Sequence, residues 1–295
     1  MQSRRTFLQI SALSVAGTAL STDSLSFLAP PPSVRHLGVQ LYSVREVLNK
    51  DPAGTLQALA KMGYREVEGF GEQAGKIGGV SLPDFSKMLK DSGLSMPSSH
   101  FNLKLADWDD SKNTLTDATK KALDAAAATG QKYIVNPWMD VSERGEIVKL
   151  IKLFNAAGEY INKAGLRFAY HNHEFEYVKK GPDNRLLIEW LLHEIDPKVM
   201  AMEMDLYWVC FAGYNPLDWF RLYPGRWELC HAKDMAKTEK RETVEVGDGS
   251  IDFASIFKQG KLAGLQYHIV ELEHYKTTPM EGVKRARENF LKLKF

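Results

Sequence analysis

One punctuation mark recurs along the chain and limits what it can fold into. A glycine closes an amphipathic stretch, and a hydrophobic, strand-like run follows within a few residues. Gly63 precedes YREVEGF, Gly93 precedes LSMPSSH and Gly130 precedes QKYIVNP. Gly165, Gly225 and Gly264 stand in the same way before LRFAYHN, RWELCHA and LQYHIVE. Glycine suits the left-handed residue that ends a helix, and the apolar run behind it suits a buried strand. The gap between Gly165 and Gly225 is about twice the others and holds VMAMEMDLYWV, a further strand. With LGVQLYSV as the first strand the count reaches eight. Helical patterns such as Pro52 to Met62, Thr114 to Thr129 and Glu143 to Lys163 lie between them. Asp51 followed by Pro52 supplies a cap and a first helical residue. Eight βα units over residues 34–295 predict one domain, an α/β (β/α)8 TIM barrel. A doubly wound open sheet competes, but LYSVREV stands where its glycine-rich phosphate loop belongs.

The residues before this domain read differently. Ser3-Arg4-Arg5-Thr6-Phe7-Leu8 is a twin-arginine pattern, followed by an uncharged run from Ile10 to Leu20. That run falls short of the roughly 20 residues that span a bilayer. A charged start, an apolar middle and small residues have the layout of an export signal. Ala29-Pro30-Pro31-Pro32-Ser33 follows as a stiff linker. Residues 1–33 are therefore expected to be a twin-arginine signal and linker. The expected location is the periplasm or another extracytoplasmic space, with no stable membrane association after cleavage. Lys and Arg total 38 against 37 Asp and Glu, a net charge of +1, so the bulk charge gives no footprint for nucleic acid. Cys210 and Cys230 fit neither a disulfide framework nor a thiolate zinc site and read as buried small hydrophobes. Whether the chain forms a homo-oligomer is left open.

Barrel active sites sit at the C-terminal ends of the strands. Those ends here carry Glu68, then Ser98-Ser99-His100, then Asn136-Pro137-Trp138. They continue with the stretch HNHEFEY (His171 to Tyr177), Glu203-Met204-Asp205-Leu206-Tyr207-Trp208, His231-Ala232-Lys233-Asp234 and Glu271-Leu272-Glu273-His274. Ionisable groups thus crowd one rim. Glu, Asp, His and Glu from four consecutive strands form an oxygen-rich set with one imidazole. Such a set favours one divalent Mn2+, Co2+, Mg2+ or Zn2+ with positions open to substrate oxygens. The absence of thiolates argues against a closed zinc cage. Taken singly, Asp205 is equally a helix cap and His231 equally a core histidine.

These residues carry a resemblance. From about Leu37 onward the chain resembles the sugar phosphate isomerase/epimerase family, xylose-isomerase-like (β/α)8 barrels that also include inosose dehydratases. YHNHEFEY, MDLYWV followed by AGYNPLDW, CHAKD, VGDGSIDF and IVELE occur in the family order. The resemblance implies one divalent metal held by Glu, Asp, His and Glu from strands five to eight. Asp205, His231 and Glu271 match three of these positions. Strand five departs from the family's Ala-Leu-Glu ending, because Ala169-Tyr170-His171 stands there. Glu176 is the preferred fourth ligand, with Glu174 as its alternative and a histidine as the third option. In an extended segment His171 and His173 share one face, and Asn172, Glu174 and Glu176 the other.

A metal that grips two neighbouring oxygens of a keto or aldo sugar acidifies the C–H between them by favouring an enediolate. Acid/base groups then move the proton. Candidates are Glu271, Glu176, His171 and His173, with Lys233 as a cation for an oxyanion or leaving group. His100, Gln40, Tyr42 and Trp208 are expected sugar contacts. The reading is an isomerase or epimerase acting on an unphosphorylated sugar, because export and the lack of an arginine cluster disfavour a phosphate. Expulsion of a β-oxygen from the same site would make it a dehydratase or lyase acting on a keto sugar or keto-glycoside. A sugar-binding barrel without turnover, an endonuclease relative with a basic face, and a cupin reading of H-x-H-x-x-E are the remaining rivals.

Overall fold

The structure is a computed structural model and describes residues 37–295; the twin-arginine segment and the domain start near Val34 lie outside the described residues. Eight strands form the framework: β1 (Leu37–Gln40), β2 (Glu66–Gly69), β3 (Ser95–His100), β4 (Tyr133–Asn136), β5 (Arg167–His171), β6 (Met200–Asp205), β7 (Trp227–Ala232) and β8 (Tyr267–Val270). Each pairs in parallel with its sequence neighbours, and β8 pairs with β1, so the sheet closes on itself. Every strand is followed by helix, from Pro52–Met62 after β1 to Pro279–Phe290 after β8. The barrel removes both the open sheet and the cupin from consideration.

Local chemistry explains the boundaries. In Pro52–Met62 the Asp51 side chain accepts from Gly54 N, and Gly63 closes the helix at φ +97°. The six punctuating glycines all have positive φ, from 70° to 97°. Gly264 is held by space as well, because a Cβ there would lie 3.0 Å from the Gly225 backbone. Two helical patterns are shorter than the sequence reading. The helix expected over Thr114 to Thr129 covers Asp117–Ala127, because Thr116 caps it, and Thr114–Leu115 pairs with Trp108–Asp109. The one expected from Glu143 runs over Ile147–Lys163 behind a short 3-10 turn. The strand read through MDLYWV stops at Asp205, whose side chain accepts from Trp208 N and starts the helix Leu206–Phe211.

The core has two parts. The larger lies between strands and helices, while Tyr133, Val135, Ala169, Ala201, Leu229, Tyr267 and Ile269 fill the barrel interior. The alanines make room for the two tyrosine rings, whose centroids are 5.8 Å apart. Cys230 is buried and Cys210 partly so, both as free thiols. Three two-residue antiparallel ladders decorate the loops leaving β2, β3 and β7. Among the described residues no helix is long and apolar enough to cross a membrane.

Candidate metal centre

The alternation that fills the barrel also builds the site, because every second residue of a strand faces inward. Moving up β5 the interior positions read Ala169 then His171, and on β6 Ala201, Glu203, Asp205. On β7 they read Leu229, His231 and, past the strand end, Lys233; on β8 Ile269, then Glu271 and Glu273. Above the apolar layer, the interior therefore turns polar. Strand register sets His171 beside Glu203 and Asp205 beside His231. Gln40, Glu68, Ser98 and His100 enter from β1 to β3, and all of these groups except Glu273 are buried.

They settle in two tiers. In the upper one, Asp205, His231 and Glu271 bring ligand atoms within 4.8 Å of one another. His231 Nδ1 lies 3.0 Å from Glu271 Oε2, and Lys233 Nζ lies 3.2 Å from the same oxygen. His171 Nε2 is 3.8 Å from Asp205 Oδ2. That Oδ2 is buried and has no hydrogen-bond partner among the described residues. A buried carboxylate oxygen that accepts no hydrogen bond is costly; Lys233 Nζ at 3.6 Å offsets part of its charge, and a cation beside His171, His231 and Glu271 would supply the missing bond. The residues present thus fit a divalent metal. In the lower tier, Glu203 Oε2 lies 3.0 Å from His171 Nδ1, 3.2 Å from His100 Nε2 and 3.3 Å from His231 Nε2. Glu68 Oε1 lies 2.6 Å from His231 Nε2 and 3.1 Å from His100 Nε2.

Burial and neighbours divide these groups electrostatically. Burial lowers His171 well below the usual histidine range, helped by the charge of His231, so its imidazole is neutral. His173 is lowered in the same way by burial and Lys233. For His231 burial opposes protonation, yet Glu203, Glu271 and Glu68 outweigh it and raise the group. Lys233 is likewise held charged against burial by Glu271, Asp205 and Glu273. Burial raises Asp205 to about 6 despite Lys233. Glu271 stays well below the carboxylate range because Lys233 and His231 overcome its burial.

The structure brings Asp205, His231, Glu271, Lys233, His171, His100 and Gln40 together, but not Glu176. The segment leaves the strand after His171 and winds into the 3-10 turn Phe175–Tyr177. Glu176 there accepts from Tyr170 Oη at 2.6 Å and from His173 N at 2.8 Å, a structural tie within its own loop. Burial raises its carboxyl to about 8 against those two donors. Glu174 precedes the same turn and joins neither cluster. His173 packs edge-on to Trp138 at 4.8 Å and lies 5.6 Å from Trp208. Trp208 in turn sits 5.1 Å from Lys233 Nζ. Gln40 is an internal strut rather than a cavity residue: its Nε2 donates to Glu68 at 2.8 Å. Above the upper tier opens a cavity of about 420 Å3 whose walls include Tyr42, His100, Trp138, His173, Glu271 and Glu273. Glu68, Glu203 and Glu273 carry roles that the sequence reading did not give them. The signal was parity, because Glu203 and Asp205, like Glu271 and Glu273, are two residues apart.

The comparisons agree with the barrel fold. Two inosose dehydratases, from Geobacillus kaustophilus (strain HTA426) and Geobacillus thermodenitrificans (strain NG80-2), are each 26% identical over 47% of this chain. The matches cover 50% and 52% of those proteins, so the chain spans about half the length of the curated relatives it matches. A crystal structure of a sugar phosphate isomerase/epimerase from Parabacteroides distasonis ATCC 8503 is 31% identical with a TM-score of 0.75, covering 92% of this chain and 97% of that one. A second structure so described from the same organism is 28% identical, again with a TM-score of 0.75, over 88% of this chain and 100% of the other. Residues 56–294 match the family described as xylose isomerase-like TIM barrel, and the chain belongs to that family.

Proposed function

We propose that the chain is a metal-dependent sugar isomerase or epimerase that moves a proton on an unphosphorylated keto or aldo sugar. The observation that carries this reading is the convergence of Asp205, His231 and Glu271 beside His171, at the ends of four consecutive strands below a cavity. These four side chains would hold one divalent ion, with Mn2+, Co2+, Mg2+ and Zn2+ as candidates. When bound, it supplies a Lewis acid that draws charge from neighbouring sugar oxygens and acidifies the C–H between them.

The chain's own groups do the rest. His173 is neutral and lines the cavity, so its imidazole can accept a proton from substrate. Glu273 stands elsewhere on the wall, where it can deliver a second proton to the substrate while His173 keeps the one it took. Lys233, paired with Asp205, Glu271 and Glu273, offsets negative charge that grows during transfer. Tyr42 and Trp138 offer ring faces to the apolar side of a sugar. Among the described residues no Lys or Arg lines the cavity, which supports a substrate without phosphate.

The likeness to inosose dehydratases favours a second reading, elimination of water or an alcohol from the same substrate class. Lys233, which is buried and does not line the cavity, would then act on the departing oxygen through Glu271 and Glu273. The proposed location is outside the cytoplasm, on the strength of Arg4 and Arg5 and the run behind them. The test is NMR of full-length, metal-loaded protein with a panel of unphosphorylated ketohexoses and aldohexoses in D2O. Solvent deuterium at the carbon next to the carbonyl, or a β-elimination product, is expected. Neither event across the panel would overturn the reading.

A further inference from the structure

His171 and His231 each touch both tiers. Each uses one ring nitrogen on a carboxylate below and turns the other toward Asp205 and Glu271 above. For His171, Nδ1 meets Glu203 at 3.0 Å while Nε2 faces Asp205 at 3.8 Å. For His231 the polarity is reversed: Nε2 meets Glu68 at 2.6 Å and Nδ1 faces Glu271 at 3.0 Å. A neutral imidazole that donates one N–H to a carboxylate presents a lone pair on its other nitrogen, and a metal that takes that nitrogen displaces any proton on it.

Glu68 is itself tightly held. Its Oε1 also accepts from Gln40 Nε2 at 2.8 Å, and its Oε2 accepts from Ser98 Oγ at 2.6 Å. With His100 and His231 added, these protein donors use roughly the four acceptor sites a carboxylate offers. Glu68 is thus oriented by the protein and has little capacity left for an ion. Glu203 is fully buried and gathers three imidazole nitrogens on one oxygen.

We propose that Glu203 and Glu68 are positioning residues that aim His171 Nε2 and His231 Nδ1 at the metal, giving a site of two nitrogens and two carboxylates. The inference rests on the metal-dependent reading above. It places strand five's contribution on His171, and it biases the site toward metals that take imidazole well. Two nitrogens favour Co2+ and Zn2+ over Mg2+, which prefers oxygen and water.

The test uses metal-free, full-length protein titrated with Co2+, read by calorimetry and by the visible bands of bound cobalt, with Mg2+ as competitor. Wild type should bind one Co2+ and keep it against excess Mg2+. Glu203→Gln and Glu68→Gln should each weaken Co2+ binding about 10–100-fold while keeping one ion per chain, the range seen when a partner behind a ligand is removed. Unchanged affinity in both variants would overturn the proposal. So would complete loss of cobalt from a variant that keeps its wild-type near-UV dichroism, because that marks a ligand. Nitrogen-15 NMR of histidine-labelled, Zn2+-loaded wild type needs no variant and names the bonded nitrogens. Nε2 of His171 and Nδ1 of His231 are expected, and Nδ1 of His171 bonded to zinc would overturn the proposal. Failure of wild type to bind Co2+ or Zn2+ would instead sink the metal-dependent function itself.

Discussion

At the scale of single residues, the strand-five segment separates ligand from scaffold. Glu176 is tied to Tyr170 and the His173 amide, so Glu176→Gln should bind Co2+ as wild type does in calorimetry. Glu176→Ala strands those two buried donors and should cost about 1–3 kcal/mol of stability in urea unfolding. His171→Ala, in protein that keeps its near-UV dichroism, should lower Co2+ affinity beyond the roughly 100-fold upper range for an outer partner. The convergence of Asp205, His231 and Glu271 was legible because each stands at a strand end within a recognisable motif. Strand five was not, since period-two alternation holds only while the chain stays extended. After His171 the backbone enters a turn, and spacing no longer says where Glu174 or Glu176 points. Glu68 and Glu203 were hidden for a different reason: their function depends on which imidazole lies across the barrel, a contact between residues 163 apart for Glu68 and His231.

At the scale of elements, the loops above the barrel carry the testable chemistry. Asp234, just past β7, accepts from the amides of Met235, Gly247, Gly249 and Ile251 and so pins the VGDGSID segment. Asp234→Ala leaves several of these donors unsatisfied and should cost on the order of 2–3 kcal/mol, seen as a lower urea midpoint at unchanged slope. Glu72, in the turn after β2, is buried against Gln131 at 2.9 Å, and burial raises its carboxyl to about 7. The folded protein therefore keeps that proton to a higher pH than the unfolded chain. Its contribution to stability is greatest in acid, declines as pH rises from the usual carboxylate range to about 7, and is flat above. Glu72→Gln should make the decline of unfolding midpoints across pH 4 to 8 shallower than in wild type, the remainder coming from other raised carboxyls such as Glu176 and Asp205. Element order was readable from the glycines, whereas exact ends were not. Asp205 shows why, because one side chain that caps a helix also cuts its strand short.

At the scale of the molecule, the barrel gathers a charged interior that only closure can produce. Glu68 of β2 reaches His231 of β7, and His100 of β3 reaches Glu203 of β6. Placing these groups in a buried space opposes folding unless they are mutually paired, and on the proposed function a bound cation would complete the pairing at Asp205. Metal removal should therefore lower stability globally. With free metal at a hundredfold excess over Kd, the bound state gains about 2.7 kcal/mol, so chelation should lower Tm in scanning calorimetry, and Asp205→Asn should erase the difference. The sequence made the barrel and its rim legible but left the substrate open, since sugar choice lies in cavity shape rather than in the motifs. The most direct check of the account is an anomalous difference map from crystals of the Co2+-loaded protein. One peak bonded to His171 Nε2, Asp205, His231 Nδ1 and Glu271 is the expected result. A peak among Glu68, His100 and Glu203, a peak at Glu176, or no peak at all would contradict it.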